Sequence, residues 1–289
     1  MKYLFYLFLL TSLLPCSFAK SSYCKKVSAD QSHSRKGFSY CVDYISNKID
    51  HSKVIYFFHG IFGSERSWFK SKQFAKMREY MLQTDIAIPP VVTLSFGRTW
   101  LVNRYVAHNP HSGLYEQITE QVFPFIEGQV LQNKNPTRLG IGMSMGGFNL
   151  AQIHLQSPRL FDKIALTCPA MSVQSPHSKR KEIRDFISRN NARKIYVRKA
   201  LSLSKKYFSS PTDWDNYSPI EYLKRYYIHP TNTRFYISAV VKDEFGFLEG
   251  DKALANHLYY LGHNVEWELV KGNHCDINPL SLANFITRP

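Results

Sequence analysis

Cysteine is scarce in the sequence, and its spacing does not suit a metal site. The 289 residues include five cysteines, with no Cys-x-x-Cys pair and no Cys/His arrangement typical of zinc ligands. Low-complexity tracts, internal repeats and collagen or coiled-coil periods are also missing. These absences exclude zinc-finger, solenoid and fibrous architectures, and we expect neither a metal nor another cofactor.

Long apolar runs are missing too, apart from one at the beginning of the chain. A lysine precedes the short apolar run Tyr3–Leu14, and the small residues Ser17 and Ala19 stand at positions −3 and −1 of a cut before Lys20. This pattern is typical of a secretory signal peptide, which we assign to residues 1–19. The run is too short for a membrane span, and an uncleaved interfacial anchor is the alternative. We therefore expect a secreted or periplasmic protein.

Acidic residues are too few to balance the basic ones. The sequence has 37 Lys and Arg against 22 Asp and Glu, a formal net charge of +15, and basic residues cluster between Ser175 and Arg225. An exported protein rarely meets nucleic acid, so we expect no nucleic-acid partner. An anionic lipid surface, an anionic polysaccharide or an acidic substrate fits the charge better. The alternative is a solvated helical face without a partner.

Export changes what the remaining cysteines predict. After cleavage Cys24, Cys41, Cys168 and Cys275 are left, and an oxidising compartment permits disulfides between them. Cys24 and Cys41 flank two short strand-like segments, and a bridge between them would stabilise the fold by roughly 3 kcal/mol. Cys168 and Cys275 are far apart in sequence, so the pairing of the four stays open at this point.

Apolar runs alternate with helical patterns along the rest of the chain. Six runs predict buried parallel strands: KVIYFFHG, PVVTLSFG, RLGIGMS, KIALTCPA, RFYISAVVKD and VEWELVKG. Residues 23–45 are expected to add antiparallel edge strands. Helical spacing marks residues 67–82, 114–131, 147–155 and 252–262. The alternation predicts an α/β fold with a mostly parallel central sheet and helices on both faces, in one domain over residues 20–289.

The segment from about residue 171 to 230 breaks this alternation. It is long, basic and mostly helical. We interpret it as an insertion, or lid, between the sixth and seventh strands. It would lie over the carboxyl edge of the sheet, which is where ligands bind in open α/β sheets.

Ser144 stands between glycines directly after a predicted strand and before a predicted helix. Gly142-Met143-Ser144-Met145-Gly146 is a G-x-S-x-G sequence, and this context is what a nucleophile elbow requires. Such a turn strains the backbone at the serine, and the glycines leave room for it. We therefore predict that Ser144 is a nucleophile, although a glycine-rich turn with an idle serine is the alternative.

A serine nucleophile needs a base and an acid, which follow it in the order acid and then histidine on this architecture. His274, in KGNH after the last predicted strand, is the candidate base. Asp243 comes first off the preceding strand and is the candidate acid. Glu244 is the alternative acid, and Asp276 a poorer one.

The predicted oxyanion hole needs two backbone N–H groups aimed at the developing negative charge. Met145, which follows the nucleophile, should supply one of them. Ile61, in the loop HGIFGS after the first predicted parallel strand, should supply the other. His59 and Gly60 are expected to shape that loop, with His59 in a structural role.

These residues resemble those of the esterase D-like branch of the α/β-hydrolase fold, which includes S-formylglutathione hydrolases, feruloyl and acetyl esterases and the antigen 85 mycolyltransferases. The resemblance runs from about Val54 to Phe285. It rests on FFHGIFGSERSW, LYEQITEQVFPFIE, GMSMGGFNLAQIHLQSPRLFDKIALTCPA, VVKDEFGF and VKGNH. It implies the same roles for the triad Ser144, Asp243 and His274 and for the oxyanion pair Ile61 and Met145.

Two departures from the family pattern concern the substrate. Cys168 stands where members often have serine, and the basic segment is longer than a minimal member needs. The leading hypothesis is an exported serine esterase acting on a small-molecule, glycan or lipid ester. An acyltransferase with a sugar or lipid hydroxyl as acceptor is the alternative. A non-catalytic protein that binds a wall or membrane surface is the third possibility.

Overall fold

The computed structural model of the chain describes residues 22–32, 37–107 and 109–288. The signal peptide assigned to residues 1–19 lies outside these ranges. Within them, no helix combines the length and the apolar character that crossing a bilayer requires.

The described residues contain one eight-stranded sheet with the strand order β1-β2-β4-β3-β5-β6-β7-β8. Strands β3 to β8 are parallel, while β2 pairs antiparallel with both β1 and β4. Every predicted apolar run contains one of the parallel strands, so the predicted sheet is confirmed. The strands are β1 (Tyr23–Val27), β2 (Phe38–Asp43), β3 (Lys53–Phe58), β4 (Val91–Ser95), β5 (Thr137–Met143), β6 (Lys163–Thr167), β7 (Arg234–Val240) and β8 (Asn264–Val270).

Helices connect the strands and cover both faces of the sheet. They are α1 (Ala29–Ser32), α2 (Ser67–Lys70), α3 (Lys72–Leu82), α4 (Leu114–Glu116), α5 (Phe123–Phe125), α6 (Met145–Gln156), α7 (Arg180–Arg189), α8 (Lys194–Tyr207), α9 (Pro211–Tyr217), α10 (Pro219–Arg225), α11 (Leu248–Tyr260) and α12 (Pro279–Thr287). The π-helical stretches Gln117–Val122 and Ile126–Val130 complete the helical segment that contains α4 and α5.

Two helical features differ from the sequence prediction. The segment predicted as one helix over residues 67–82 is broken at Ser71, whose backbone is extended and whose Oγ accepts the N–H of Phe74 at 3.4 Å to cap α3. Helix α12 was not predicted at all, because its apolar pattern extends over only a short segment. Asn278 caps α12 by accepting the N–H of Ser281 at 3.3 Å.

The two faces of the sheet pack against different helices. Along β3, Val54, Tyr56 and Phe58 point into a core that includes α6 and α11, whereas Ile55 and Phe57 point into a core that includes α3 and α12. Side chains alternate between faces along a strand, so a strand covered on both sides is apolar throughout. This explains why most of the parallel strands appear in the sequence as continuous apolar runs. The edge strand β8 differs: its residues are exposed or only partly buried, so the prediction of a buried strand is wrong for VEWELVKG.

The insertion between β6 and β7 contributes α7 to α10. Phe186 of α7 packs with Val197 and Leu201 of α8 in a small core of its own. The N–H of Arg193, between these two helices, donates to the carbonyl oxygen of Glu244 at 2.8 Å. The insertion is thereby attached to the loop that follows β7.

The four described cysteines form two disulfides. Cys24 and Cys41 stand opposite each other in the β1–β2 ladder and are bonded. Cys168, directly after β6, is bonded to Cys275, which follows β8. The second bridge closes a sequence separation of 107 residues and ties the ends of two non-adjacent strands together.

Candidate active site

Ser144 occupies the sharp turn between β5 and α6. Its backbone has φ of 53° and ψ of −116°, a strained conformation that costs about 1 to 3 kcal/mol in a non-glycine residue. Glycines allow the close approach that the turn requires: a Cβ on Gly146 would collide with the carbonyl oxygen of Phe58, and one on Gly142 would lie 2.6 Å from the carbonyl oxygen of Gly146. The local sequence therefore folds into the geometry of a nucleophile elbow.

The backbone of Ser144 is fixed by its neighbours. Its N–H donates to the carbonyl oxygen of Thr167 at 3.1 Å, and its own carbonyl oxygen accepts the N–H groups of Phe148 and Ala170 at 3.1 and 2.9 Å. These bonds join the turn to the first turn of α6 and to the end of β6. The surrounding structure thus holds a conformation that the serine would not adopt alone.

His274 lies in the loop after β8 and reaches the serine. The distance from Ser144 Oγ to His274 Nε2 is 2.9 Å, and the distance from His274 Nδ1 to Asp243 Oδ2 is 2.5 Å. A carboxylate oxygen can only accept, so Nδ1 carries the proton and Nε2 is left to accept the hydroxyl proton. The structure brings the three predicted residues together as a continuous hydrogen-bonded chain.

Asp243 is the carboxylate that contacts the imidazole. It is buried, and its other oxygen accepts the N–H of Phe245 at 2.8 Å. The alternative acids hold the backbone of the histidine loop instead: Glu244 accepts the N–H of His274 at 3.1 Å, and Asp276 accepts the N–H of Asn273 at 2.8 Å. Both carboxylates therefore hold the loop in position, and Asp243 contacts the imidazole.

The predicted oxyanion groups also lie beside the serine. Met145 is the first residue of α6, so its N–H has no acceptor within the helix and lies at the positive end of the helix dipole. The loop of Gly60 and Ile61 passes close to the nucleophile, since a Cβ on Gly60 would lie 3.3 Å from the Ser144 Cβ. Ile61 thus lines the same cavity as Ser144, and Met145 directly follows the serine in the chain.

His59 braces the loop that leads to Ile61. Its Nδ1 lies 2.7 Å from the carbonyl oxygen of Gly60, which can only accept, so this nitrogen carries the proton. Its Nε2 then accepts the hydroxyl of Ser95 at 2.8 Å. Burial lowers the pKa of His59, which favours this neutral form. These contacts fit the structural role predicted for His59.

A cavity of about 620 Å³ opens above Ser144 and His274. Its size suits a small organic ligand or part of a larger one. The aromatic rings of Phe245 and Phe247 pack against the imidazole, with centroid distances of 4.7 and 5.5 Å, and also line the cavity. Helix α8 of the insertion contributes Tyr196, Lys199, Ala200 and Leu203 to the wall. The insertion thus borders the candidate active site.

Sequence reasoning missed how firmly the histidine loop is anchored. Besides Glu244, the Gln73 side chain of α3 donates to Asp276 Oδ1 at 2.7 Å and accepts the N–H of Ile277 at 2.9 Å. Cys275, next to the histidine, is fixed by its disulfide. A lone glutamine in a helix carries no sequence signal for this role. The one sign of this anchoring in the sequence is that Cys275 directly follows His274.

Cys168, His274 and Cys275 are the described residues whose ligand atoms lie close enough together to hold a metal ion. Both sulfur atoms, however, are bonded to each other in the disulfide. Metal ligation by cysteine requires the thiolate. The oxidised protein therefore offers no thiolate ligands at this position.

Comparisons with known proteins agree with the architecture. No protein-family model and no curated protein sequence matches the chain. Among solved structures, an arylesterase aligns with a TM-score of 0.61 at 11% identity over 91% of this chain and 81% of that one. The S-formylglutathione hydrolase from Agrobacterium tumefaciens aligns with a TM-score of 0.57 at 14% identity, covering 92% and 91%. A ferulic acid esterase aligns with a TM-score of 0.54 at 14% identity, covering 92% and 95%.

The chain has the α/β-hydrolase fold. On this fold the nucleophile follows a central strand, and the acid and the histidine follow later strands in that order. Ser144 after β5, Asp243 after β7 and His274 after β8 occupy those places. At this low sequence identity, the likeness to the solved esterases is a likeness of fold.

Proposed function

We propose that the protein is an exported serine esterase that hydrolyses a carboxylic ester through an acyl-enzyme. The observation that carries the proposal is the hydrogen-bonded chain from Ser144 Oγ through the His274 imidazole to Asp243, built on a strained turn at the mouth of a cavity. A merely structural serine needs neither the strain nor the partners. The esterases that share the fold add support.

The reaction follows from the directions of these hydrogen bonds. His274 Nε2 takes the hydroxyl proton while Ser144 Oγ attacks the ester carbonyl carbon. The resulting oxyanion accepts the N–H groups of Ile61 and Met145, the two donors predicted to form the oxyanion hole. The bond to the alcohol then breaks, and the alcohol leaves with the proton from His274. Water, deprotonated by His274, releases the acyl group as a carboxylic acid and restores the serine.

Asp243 supports each proton transfer. Its carboxylate fixes the tautomer in which Nδ1 carries the proton, and it stabilises the imidazolium that forms in each transition state. The N–H of Phe245 holds the carboxylate in position.

Export and an anionic partner belong to the same proposal. Residues 1–19 have the pattern of a signal peptide, and two disulfides suit a protein of the periplasm or the outside of the cell. The basic insertion next to the cavity would attract an anionic substrate or surface, with no role for nucleic acid. The apparent KM for an anionic ester should then rise with salt concentration.

The test is release of p-nitrophenol from an acyl series, from acetate through octanoate to palmitate, by the wild type and Ser144→Ala in parallel. We expect turnover by the wild type and its loss in the variant, with unchanged circular dichroism. The chain length with the highest kcat/KM would size the acyl pocket. Turnover retained by Ser144→Ala would refute the proposed nucleophile.

Acyl transfer is the second candidate, favoured by the aromatic wall that Phe245 and Phe247 build around His274. Such a wall limits the access of water to the acyl-enzyme, so that a bound hydroxyl could replace it. Adding a sugar or glycerol acceptor to the same assay distinguishes the two. A transfer product in excess of the free acid would favour the acyltransferase.

A further inference from the structure

The opening of the cavity carries an exposed aromatic ring next to two cations. Phe62 and Lys199 both line the cavity and are exposed to solvent, so they lie at its opening. The Phe62 side chain is 66% exposed. The Lys199 Nζ lies 5.1 Å from the centroid of its ring, and the Arg98 guanidinium carbon lies 5.9 Å from it. Most of an apolar ring is thus left in water at the entrance of the candidate active site, beside two positive charges.

Helix α8 continues this mixture of apolar and cationic side chains. Ile195 is 72% exposed, and it lies one turn before Lys199, so the two side chains are neighbours on the helix surface. Arg198, three positions after Ile195, is exposed as well. The opposite face of the helix is buried and consists of Val197, Ala200, Leu201 and Ser204. Phe62, Arg98, Ile195, Arg198 and Lys199 therefore form one exposed surface, which we call the mouth patch.

The positive charge of the mouth patch is not neutralised within the protein. Helix α8 contains no acidic residue, and its basic residues are Lys194, Arg198, Lys199, Lys205 and Lys206. Across the described ranges of the chain, neither these residues nor Arg98 form an ion pair with a carboxylate. A partner with negative charge would therefore meet cations that have no competing carboxylate partner.

The two exposed apolar side chains distinguish between possible anionic partners. A soluble anion or an anionic polysaccharide would satisfy the cations but would leave Phe62 and Ile195 in water. An anionic bilayer offers both kinds of contact, because negatively charged headgroups lie directly above hydrocarbon. Basic residues that surround a few exposed apolar side chains match this layering.

We propose that the mouth patch binds an anionic lipid bilayer and that the ester substrate is a lipid of that bilayer. The assignment of the substrate rests on the proposed esterase function and narrows it, whereas the binding of the bilayer requires no reaction. Phe62 and Lys199 belong both to the patch and to the wall of the cavity. A lipid that leaves the bilayer at the patch would therefore enter the cavity that contains Ser144.

Sedimentation with vesicles tests the binding. The vesicles consist of phosphatidylcholine alone or of phosphatidylcholine and phosphatidylglycerol in equal parts, each at low and at high salt. We expect the wild type and Ser144→Ala to bind the phosphatidylglycerol vesicles equally well, and we expect weaker binding to phosphatidylcholine alone or at high salt. Dextran sulfate, an anionic polymer without hydrocarbon, serves as the competing partner.

Two single variants test the patch. Arg198→Gln should weaken binding to the anionic vesicles by about fivefold, the usual effect of one basic residue near such a surface. Ile195→Gln should weaken it by about tenfold through the loss of apolar burial. The matched controls are Arg159→Gln and Tyr260→Gln. Both control residues are exposed, but Arg159 precedes β6 and Tyr260 precedes β8, at the amino edge of the sheet and away from the triad. Neither control should change the binding.

A pair of fluorogenic esters tests the substrate. 4-Methylumbelliferyl oleate is incorporated into the vesicles, and 4-methylumbelliferyl butanoate is dissolved in water. Phosphatidylglycerol should accelerate the hydrolysis of the oleate by the wild type. Ile195→Gln should lower this rate by the same factor as it lowers binding, and it should leave the hydrolysis of the butanoate unchanged because Ile195 does not line the cavity.

The outcomes separate the inference from the function on which it rests. Binding to dextran sulfate but not to anionic vesicles, or vesicle binding that Ile195→Gln leaves unchanged, would overturn the inference, while Ser144-dependent hydrolysis of the butanoate would still support the esterase. Vesicle binding without hydrolysis of either ester by the folded wild type would overturn the esterase and the lipid substrate but would uphold the bilayer as the partner of the patch.

Discussion

Removing the disulfide between Cys168 and Cys275 should damage catalysis and stability together. Cys275 follows the candidate base, and Cys168 follows β6 close to the turn of Ser144. The perturbation is the double substitution Cys168→Ala with Cys275→Ala. Its matched control is Cys24→Ala with Cys41→Ala, which removes the other bridge at the antiparallel edge of the sheet.

The sequence separations give the expected losses of stability. A bridge that closes about 100 residues restrains the unfolded chain by about 4.7 kcal/mol in the loop-closure model, and one that closes about 15 residues by about 3 kcal/mol. The separations here are 107 and 17 residues. Both losses are large against the roughly 5 to 15 kcal/mol by which domains are stable. Urea unfolding should therefore show a larger loss for the Cys168–Cys275 pair.

Catalysis should distinguish the two variants more sharply. Without the bridge, Glu244 and Gln73 still hold the backbone on either side of His274, but the loop is free to move relative to β6. A displacement of about 1 Å at a reacting group costs roughly 100-fold in rate, so we expect kcat to fall by about 10- to 100-fold. The fall in kcat should be seen even at urea concentrations at which the variant remains fully folded. The Cys24–Cys41 variant should keep its kcat.

A folded Cys168→Ala/Cys275→Ala variant with wild-type kcat would refute this reasoning, since the two remaining anchors would then suffice. An equal loss of kcat in both double variants would refute it too. In that case the loss would follow from general destabilisation, and the location of the bridge would be irrelevant.

Three further predictions concern other parts of the molecule. Asp243→Asn should lower kcat by about 10⁴-fold because it reverses the tautomer of the imidazole, whereas Glu244→Gln should keep most of the activity. Steady-state kinetics of both variants on one ester provide the comparison. Equal losses of kcat would contradict the assignment of Asp243 as the acid. Burial lowers the pKa of His154 to about 3, while an unfolded histidine binds its proton below about 6.5. The unfolded state therefore binds more protons between these values, so this contribution, about 4 to 5 kcal/mol, is present above pH 6.5 and is lost as the pH falls towards 3. Urea unfolding from pH 7 to 4 should show a shallower decline for His154→Phe, and parallel curves would contradict the prediction. Gly146→Ala should leave little folded protein, because the Cβ of the alanine would collide with the carbonyl oxygen of Phe58. A soluble variant with the wild-type melting temperature would show that the turn is not as tight as described.

The strands were predictable because each leaves a local signal in the sequence. KVIYFFHG is apolar at successive positions since both faces of β3 are covered, and β4 and β6 are likewise buried throughout. The edge strand β8 is only partly buried and alternates apolar and polar residues. Ser144 was predictable because it directly follows the run of β5, and His274 because it lies in the loop after the last strand. Asp243 and Glu244 are adjacent, and only the three-dimensional arrangement separates the acid that contacts the ring from the one that holds the backbone.

What could not be predicted depends on packing between distant segments. Apolar spacing continues through Ser71, so nothing in the periodicity marks the end of α2 or the cap of α3. The bond between Cys168 and Cys275 depends on β6 and β8 being brought two places apart in one sheet. The walls of the cavity likewise combine residues from α2, α8 and the loops after β4, β7 and β8, which no single stretch of sequence reveals.

The contacts of Gln73 have a consequence for how this molecule can change. Its helix, α3, packs with α12 on the face of the sheet that contains Ile55 and Phe57, and yet its amide holds the loop of the candidate base. We expect a substitution in that core, such as one at Phe74, to shift α3 and to displace His274 through the hydrogen bonds of Gln73. Its signature would be a slower turnover in a variant that is still folded. A helix packed far from the triad in sequence thus sets limits on the speed of the reaction.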